Sequence, residues 1–337
     1  MTERRSDEEL VSVLIATKDR LHWLRDCLES ARDQTYARLE IVVSDDGSRD
    51  GTVEYVRSVA AVDQRVRLLT DNPSPGAFGN FAHLLAHAVG GSVCLVGDDD
   101  LLHPNFVKQL ASGLGLPSVG VAYAGFDVID GDGEPRPDRT ALLERHHGFT
   151  ETPAGLQPDG VLVALRGQLW LGACLYRTRL IRGLGFETSC GSAADWDLAL
   201  RAADVASVWY VPGHLWSYRD HGMTISRTRQ AESLRSAIIV LTRRAYQKPA
   251  LESLRRSLLR RYLLRAAWGD IAARPGQARG DLRDYRANDG SRLAPKYLVI
   301  MGVSRLPGPI RRSLVDAVGS ARSSRPNGGP RPTAPAP

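Results

Sequence analysis

The stretch Leu39-Glu-Ile-Val-Val-Ser-Asp-Asp-Gly-Ser48 starts as a β-branched apolar run and ends in two adjacent carboxylates. Similar short apolar runs occur at Val11-Ser-Val-Leu-Ile15, Val66-Arg-Leu-Leu69, Ser92-Val-Cys-Leu-Val96 and Val119-Gly-Val-Ala-Tyr123. Helical spacing of apolar residues appears between the first four runs, as in Leu21, Leu24, Cys27, Leu28 and in Phe81, Leu84, Leu85, Ala88. Strands that alternate with helices are typical of βαβ units. We therefore expect an α/β fold with a mostly parallel, Rossmann-like central sheet and flanking helices.

Acidic residues directly follow two of these predicted strands. Ser44-Asp45-Asp46-Gly47 follows the second strand, and Gly97-Asp98-Asp99-Asp100 follows the fourth. The carboxyl ends of parallel strands are where α/β sheets bind ligands. Three consecutive carboxylates repel one another, and a hard divalent cation would offset that repulsion, so residues 98–100 predict a metal site. For the first cluster, a turn with a helix cap at Ser48 or Asp50 is an equally open explanation.

Two later motifs carry a carboxylate and an imidazole. Ser192-Ala-Ala-Asp195 has the spacing of a capping box, and a helix is expected from about Ser192 to Ala203. Tyr218-Arg-Asp-His221-Gly222 contains a histidine that, taken alone, is best explained as a satisfied core or surface residue. Both motifs remain open to a structural and to a functional explanation at this point.

The charge of the chain is distributed unevenly. Its 337 residues carry a formal net charge of +6. Residues 1–226 contain 21 basic and 31 acidic residues and carry −10, whereas residues 227–337 contain 23 basic and 7 acidic residues and carry +16. This asymmetry indicates an acidic body joined to a basic part, with two tasks or two partners.

Several classes of protein are excluded by composition. A hydrophobic content of 43% rules out a chain that is disordered throughout. No window approaches the ~18 consecutive apolar residues of a spanning helix. The N-terminal MTERRSDEEL lacks the apolar segment of a secretory signal. The four cysteines show no metal-ligand spacing, so we expect free thiols and a cytoplasmic location.

The rest of the chain divides into three parts. Glycines and prolines in 130–160 predict turns and an irregular excursion. Residues from about Arg229 to Val318 show helical spacing, with Leu251, Leu254, Leu258, Tyr262 and Arg265 in one stripe, Leu259 and Leu263 beside it, and Arg255, Arg256, Arg260 and Arg261 on its flanks. The Pro-, Gly- and Ser-rich tail 320–337 predicts disorder.

The basic region 227–319 has three explanations. Nucleic-acid binding is not expected, because no finger, basic zipper or stacking-aromatic motif accompanies the arginines. Leu258, Leu259, Leu263 and Trp268 among the arginines would suit peripheral contact with an anionic membrane, at its inner face. An ordinary helical subdomain packed on the catalytic domain, or a homodimer face, is the alternative.

The order of the motifs resembles the family 2 glycosyltransferases with the GT-A fold. The opening strand with Ala16-Thr-Lys-Asp-Arg20, the signature Asp45-Asp-Gly-Ser-Arg-Asp-Gly-Thr52 and the Asn72-to-Asn80 segment with Gly76 occur first. Val96-Gly-Asp-Asp-Asp-Leu-Leu-His-Pro104, Gly185-Phe-Glu187 with Asp195-Trp-Asp197, and Tyr218-Arg-Asp-His221 with Ser226 follow. The resemblance covers about residues 10–226, which implies a catalytic domain at 1–226, a basic helical region at 227–319 and a tail at 320–337.

The resemblance implies a role for each candidate residue. Thr17, Lys18, Arg20, Asp45, Asp46 and Asp98 would bind the nucleotide sugar, with Asp46 accepting the N3–H of uracil or thymine. Gly97 stands where the family often has Asp, so Asp99 would be the principal ligand of Mg²⁺ or Mn²⁺. Asp98, Asp100 and His221 would be its secondary ligands.

The implied reaction transfers a sugar from a nucleoside diphosphate to an acceptor hydroxyl with inversion. Asp195 would be the general base, because Ala194 stands where the family often has Glu. The acceptor would be a cell-surface glycan, a lipid-linked precursor or a secondary metabolite. A Rossmann dehydrogenase is disfavoured, since no Gly-x-Gly-x-x-Gly follows a strand. A sugar nucleotidyltransferase and a catalytically silent nucleotide-sugar binder remain alternatives.

Overall fold

A computed structural model describes residues 9–73, 76–221, 230–292 and 294–323. The chain forms two compact units, Met1–Val240 with Tyr246–Leu251, and Leu241–Ala245 with Glu252–Pro337. The predicted domain boundary at 226 and Ser226 itself lie outside the described residues.

Strands and helices alternate through most of the first unit. Its strands are β1 (Val11–Thr17), β2 (Leu39–Asp45), β3 (Val66–Leu69), β4 (Ser92–Gly97), β5 (Leu101–Leu102), β6 (Val119–Ile129), β7 (Gly155–Leu156), β8 (Cys174–Arg177) and β9 (Ser207–Arg219). Its helices are α1 (Leu21–Arg32), α2 (Thr52–Ala60), α3 (Ala77–His87), α4 (Phe106–Gly113), α5 (Pro137–His147), α6 (Gly160–Leu165), α7 (Thr178–Leu184), α8 (Ala194–Val205) and α9 (Gln230–Thr242). All five predicted strands are confirmed. Their residues are mostly buried in β1, β2, β4 and β6, whereas in β3 Val66 is buried and Arg67, Leu68 and Leu69 are partly exposed.

The described strands form one sheet in the order β3-β2-β1-β4-β8-β6-β9-β5, with β7 paired to β9. The pairs β1–β2, β1–β4 and β2–β3 are parallel. Their register places Ala16 opposite Ser44 and Gly97, and Thr17 opposite Asp45. The loops that follow β1, β2 and β4 therefore leave the sheet at the same edge.

The sheet is mostly parallel, as expected, with antiparallel pairs at β8, β5 and β7. β8 runs antiparallel to both of its neighbours, β4 and β6, while β6 and β9 are parallel. Strands buried on both faces show no alternation, so their apolar runs predict that they pair but not in which direction.

The segment 130–160 is more regular than its glycines and prolines predict. Pro137 is the first residue of α5, and Gly148 ends that helix with a φ of 74°. Proline is favoured in the first turn of a helix, and glycine adopts positive φ without strain. Pro137 and Gly148, two of the residues expected in turns, are instead the boundaries of a helix.

The C-terminal helices confirm the helical expectation for 229–318. They are α10 (Pro249–Asp270), α11 (Pro275–Ala287), α12 (Pro295–Ser304) and α13 (Gly308–Ser323). Leu259 and Leu263 are buried, so these two residues do not form the expected lipid-facing surface. Arg255, expected on a flank, is buried too, because it donates to Leu241 O and forms an ion pair with Glu252.

Two further expectations concern the tail and the membrane. α13 continues to Ser323, four residues into the tail expected to be disordered, and residues 324–337 lie outside the described residues. Within the described ranges, no helix has both the length and the apolar content that crossing a membrane requires. The four cysteines are free and buried, as expected.

A buried arginine at the end of β9 ties three segments together. Arg219 is only 1% exposed. Its Nε donates to Asp99 O at 2.7 Å, and its Nη1 donates to Gly131 O at 3.1 Å. Its backbone N–H donates to Asp100 Oδ1 at 3.0 Å. The loop after β4, the turn after β6 and the end of β9 are thus held by one residue.

We predict that Arg219→Met destabilises the protein by roughly 3 kcal/mol, because each buried carbonyl that loses its donor costs about 1–3 kcal/mol. Urea unfolding measures the difference. Arg179→Met, on the exposed face of α7, is the matched control and should change the free energy of unfolding by less than about 0.5 kcal/mol. Equal stabilities of the two variants would contradict the proposed role of Arg219.

Candidate functional site

Each of the three carboxylates after β4 has a partner from a different part of the chain. Arg20 Nη1 donates to Asp98 Oδ1 at 3.1 Å and to Asp99 Oδ2 at 2.9 Å. His221 Nε2 lies 3.0 Å from the same Asp99 Oδ2. Asp100 accepts from the backbone of Arg219 and is buried. The structure thus brings four of the predicted residues, Arg20, Asp98, Asp99 and His221, into one cluster, with Asp100 turned toward β9.

The three carboxylates titrate differently because their partners differ. Burial, together with repulsion from Asp99, raises the pKa of Asp98 to about 6. Burial acts on Asp99 too, but the hydrogen bond with His221 and the charge of Arg20 outweigh it and lower its pKa. Burial and the charge of Asp99 raise the pKa of Asp100. Asp99 is therefore the carboxylate best kept ionised, as a principal cation ligand must be.

The donor set suits a divalent cation, although the side chains do not form a complete cage. Among the described residues, no group of three His, Cys, Asp or Glu side chains is arranged to hold a metal by itself. Mg²⁺ is commonly bound by one or two carboxylates together with substrate phosphates and water. Asp99 and His221 are close enough to form such a partial site, and Asp98 and Asp100 stay predicted as secondary ligands.

Aromatic packing fixes the imidazole of this cluster. The Trp23 ring lies against the His221 ring, with centroids 4.0 Å apart. Trp23 Nε1 donates to Gly131 O at 2.9 Å, so the indole is itself anchored. The sequence showed Trp23 only as part of a helical stretch, and the partner that gives it a role is 198 positions away in the chain.

Asp46 is the centre of the second acidic cluster. Its Oδ2 accepts from Gly76 N–H at 3.0 Å and from Lys18 Nζ at 3.3 Å. Its Oδ1 accepts from Asn72 Nδ2 at 3.2 Å. Asp46 thus joins the loops after β1, β2 and β3, and a base N3–H would share this carboxylate with the protein donors.

The other acids of this loop shape its backbone. Asp45 Oδ2 accepts from Gly47 and Ser48 N–H groups, while its buried Oδ1 has no hydrogen-bond partner among the described residues. Asp50 Oδ1 accepts from the N–H and hydroxyl of Thr52 at the start of α2. The turn and cap explanation therefore holds for Asp50, whereas Asp45 Oδ1 is an acceptor that the described part of the chain does not use.

Asp195 lies in the first turn of α8, which begins at Ala194, two residues after the predicted start at about Ser192. Its Oδ1 accepts from the N–H of Trp196 at 2.7 Å. Burial raises its pKa to about 6, and that backbone hydrogen bond only partly opposes the shift. The described residues do not form the capping box, because Ser192 directs its N–H to Ser236 Oγ at 3.1 Å and no side chain among them caps α8.

The helix after the proposed catalytic domain supports the segment before Asp195. Ser236 of α9 is buried and accepts from Ser192. Gly191 has a φ of 57°, and a Cβ there would lie 2.6 Å from Ser236 Oγ. The sequence offered no signal for this contact, because the resemblance ended ten residues before Ser236.

Comparisons with known proteins agree with this geometry. The model of the family described as Glycosyl transferase family 2 matches residues 12–167. An uncharacterised protein of Mycobacterium tuberculosis (strain CDC 1551 / Oshkosh) is 31% identical over 243 residues, 68% of this chain and 72% of that protein. The UDP-Glc:alpha-D-GlcNAc-diphosphoundecaprenol beta-1,3-glucosyltransferase WfgD of Escherichia coli is 28% identical over 37% of this chain. The chain spans about half of WfgD, 48% of its length.

Solved structures show the same fold. TarS 1–349 of S. aureus in complex with UDP-GlcNAc superposes with a TM-score of 0.62 at 15% identity, covering 93% of this chain and 92% of that chain. The mannosyltransferase PcManGT of Pyrobaculum calidifontis, in complex with GDP-Man and Mn²⁺, gives a TM-score of 0.56 at 19% identity, covering 94% and 88%. The chain therefore belongs to glycosyltransferase family 2 and is a glycosyltransferase with the GT-A fold.

Proposed function

We propose that this enzyme transfers a sugar from a UDP-sugar donor to an acceptor hydroxyl, with inversion at the anomeric carbon and with a divalent cation. One observation carries the proposal. Asp46 and the Asp98–Asp99 pair lie at one edge of the sheet, where Arg20 and His221 join the second of these two acidic groups. A nucleoside diphosphate needs both groups, one for its base and one for its phosphates.

Two features support a uridine donor. The base N3–H requires an acceptor, and Asp46 is ionisable and little exposed, with 9% of its side chain accessible. The names of WfgD and of the TarS complex include UDP-Glc and UDP-GlcNAc. Thymine presents the same N3–H, so dTDP-sugars are the second candidate donors. PcManGT with GDP-Man indicates that the fold also accepts other bases.

The cation would be held by Asp99 and His221, with Asp98 and Asp100 near it. Bound there, Mg²⁺ or Mn²⁺ would neutralise the charge that develops on the diphosphate leaving group. PcManGT contains Mn²⁺, which supports use of such a cation in this fold. Lys18 and Arg20, on the loop after β1, add positive charge from this chain to the same anion.

Asp195 is the proposed general base. It would accept the proton of the acceptor hydroxyl as that oxygen attacks, an effect worth about 10²–10⁴ in rate. Burial raises the pKa of its carboxyl to about 6, which makes the carboxylate a stronger base. Inversion needs a single carboxylate of this kind and no covalent sugar–enzyme intermediate.

The acceptor that we propose is a hydroxyl of a lipid-linked or cell-surface glycan precursor. The name of WfgD specifies a diphosphoundecaprenol acceptor, which supports the class. Free, buried thiols at all four cysteines support action in a reducing cytoplasm. A secondary-metabolite acceptor is the alternative outcome of an acceptor screen.

The C-terminal helices are proposed to contact anionic lipid by residues other than those first expected. Leu298 and Val299 of α12 are 52% and 50% exposed, and Ile310 and Leu314 of α13 are 54% and 42% exposed. Arg311 and Arg312 lie between the last two. Apolar side chains flanked by arginines suit the interface of an anionic membrane.

We expect the chain with Mg²⁺ or Mn²⁺ to release UDP from one of a panel of UDP-sugars, and EDTA to abolish that release. Coupled detection of UDP measures it, and NMR of the product reads the anomeric configuration. Donor binding without any release would favour a silent nucleotide-sugar binder, and release of pyrophosphate would favour a nucleotidyltransferase. A retained configuration would contradict single displacement.

Asp195→Asn should bind UDP as the wild type does and lose about 10²–10⁴ in kcat. In the wild type, kcat/KM should fall about tenfold per pH unit below the Asp195 pKa of about 6, as the base protonates.

That raised pKa means that the folded state binds the proton more tightly than the unfolded state. As the pH rises from 4 to 6, the contribution of Asp195 to the free energy of unfolding therefore decreases. At pH 8, Asp195→Asn should unfold at a higher urea concentration than the wild type.

Asp204→Asn, an exposed change on the same helix, serves as the control and should leave the pH profile unchanged. Wild-type turnover in Asp195→Asn would refute the assignment of the base.

Vesicle co-sedimentation with the full chain tests the lipid contact. We expect binding to phosphatidylglycerol vesicles, weak binding to phosphatidylcholine, and a loss of about tenfold or more in Ile310→Ser/Leu314→Ser, because each apolar side chain buried in the interface contributes about 1.5–3 kcal/mol. Val62→Ser/Val89→Ser, which changes exposed residues of the first unit, is the control. Equal binding by both variants would exclude α13 as the contact.

A further inference from the structure

One nitrogen of Arg20 lies between the two carboxylates proposed to serve the cation. Arg20 Nη1 donates to Asp98 Oδ1 at 3.1 Å and to Asp99 Oδ2 at 2.9 Å. The same Asp99 oxygen lies 3.0 Å from His221 Nε2. A carboxylate oxygen has two lone pairs, so both lone pairs of this oxygen are directed at protein nitrogens.

A divalent cation and the Arg20 guanidinium exclude each other at this oxygen. Mg²⁺ binds carboxylate oxygens at about 2.0–2.1 Å, through the lone pairs that the N–H groups use. The two cations also repel each other at such a separation, because the low-dielectric surroundings screen little of that repulsion. Cation binding at Asp99 Oδ2 therefore requires the guanidinium to leave this oxygen.

The backbone at Arg20 is anchored, whereas its side chain is partly exposed. Asp19 has a φ of 51°, and it is held by its N–H to Ser48 Oγ and by its Oδ1 to the N–H of Arg49, both at 2.7 Å. The Arg20 side chain is 28% exposed, and its Cζ lies 5.7 Å from the centre of the Trp23 ring. The guanidinium can thus move without any change in the backbone.

We propose that Arg20 is a resident counter-cation, which neutralises Asp98 and Asp99 until the divalent cation arrives with the nucleotide and then transfers to the diphosphate. This inference rests on the proposed function. A planar guanidinium binds phosphate oxygens in a bidentate manner, so the diphosphate offers Arg20 a replacement for the carboxylates that it leaves.

Cooperativity between cation and nucleotide follows from this exchange. Without nucleotide, the cation must displace Arg20 while no new anion is present to receive it. With UDP bound, the displaced guanidinium gains phosphate oxygens, so the same displacement costs less. Mn²⁺ should therefore bind more tightly in the presence of UDP, and UDP more tightly in the presence of Mn²⁺, by the same factor.

The direction of one effect separates this role from simple donor binding. Loss of an ordinary donor-binding residue leaves the affinity for free cation unchanged or weakens it. Loss of a competitor tightens that affinity, because Asp98 and Asp99 then lack their intramolecular partner. Arg20→Gln removes the charge and retains a side chain that can donate a hydrogen bond.

The experiment titrates the full chain with Mn²⁺ and follows free Mn²⁺ by electron paramagnetic resonance, with and without UDP. In Arg20→Gln we expect the Kd for Mn²⁺ alone to tighten about tenfold and the enhancement by UDP to shrink about tenfold, within the usual range of coupling between sites. Arg25→Gln is the matched control, because Arg25 is exposed on α1 and its Cζ lies 4.3 Å from the centre of the Tyr55 ring. It should leave both constants unchanged.

Each outcome decides a separate point. If the Kd for Mn²⁺ alone is unchanged or larger in Arg20→Gln, the counter-cation role of Arg20 is overturned. The proposed function survives that result if the wild type still binds Mn²⁺ with UDP. If neither wild type nor Arg20→Gln binds Mn²⁺ with UDP present, both proposals fail. Arg20→Lys keeps the positive charge but not the bidentate guanidinium, so its two Mn²⁺ dissociation constants should be intermediate. It takes the place of Arg20→Gln if circular dichroism shows Arg20→Gln to be unfolded.

Discussion

Three successive carboxylates in a loop with little solvent can remain in place only if positive charge and N–H donors reach them from elsewhere in the chain. The donors to Asp99 and Asp100 include Arg219 and His221, which are between 119 and 122 positions away. Arg20, which precedes β4 in the chain, donates to Asp98 and Asp99. This requirement for charge compensation fixes where β9 must end, and so sets the shape of the site.

The charges beside a carboxylate also distinguish the two residues, Asp99 and Asp195, to which we assign different catalytic tasks. Asp99 is supplied with Arg20 and His221, which lower its pKa and suit it to a cation. Asp195 accepts from the backbone N–H of Trp196, and burial raises its pKa to about 6, which suits it to accepting a proton. One fold thus assigns opposite tasks to two identical side chains by the charges that it places beside them.

The sequence predicted the elements whose signals are local. The strands Val11–Thr17 and Leu39–Asp45 follow from apolar runs, and the acidic loops from their position after those runs. The antiparallel direction of Cys174–Arg177 could not be predicted, because a strand buried on both faces has no polar side to orient it. Helix Pro137–His147 was missed since proline and glycine mark helix ends as well as turns. Arg255 was misjudged because its burial depends on a partner, Leu241 O, from another helix.

By itself, the sequence determined the fold class, the order of the motifs and the identity of the acids at the strand ends, because these depend on periodicity and on residues close together in the chain. Only the tertiary structure decided which acids face which cations. Arg20 and His221 both contact Asp99 Oδ2. Arg219 orders the loop that carries the three carboxylates, and Ser236 supports the turn before Asp195. These contacts join residues far apart in the chain, and their energy comes from burial and charge compensation that exist only after the sheet has assembled.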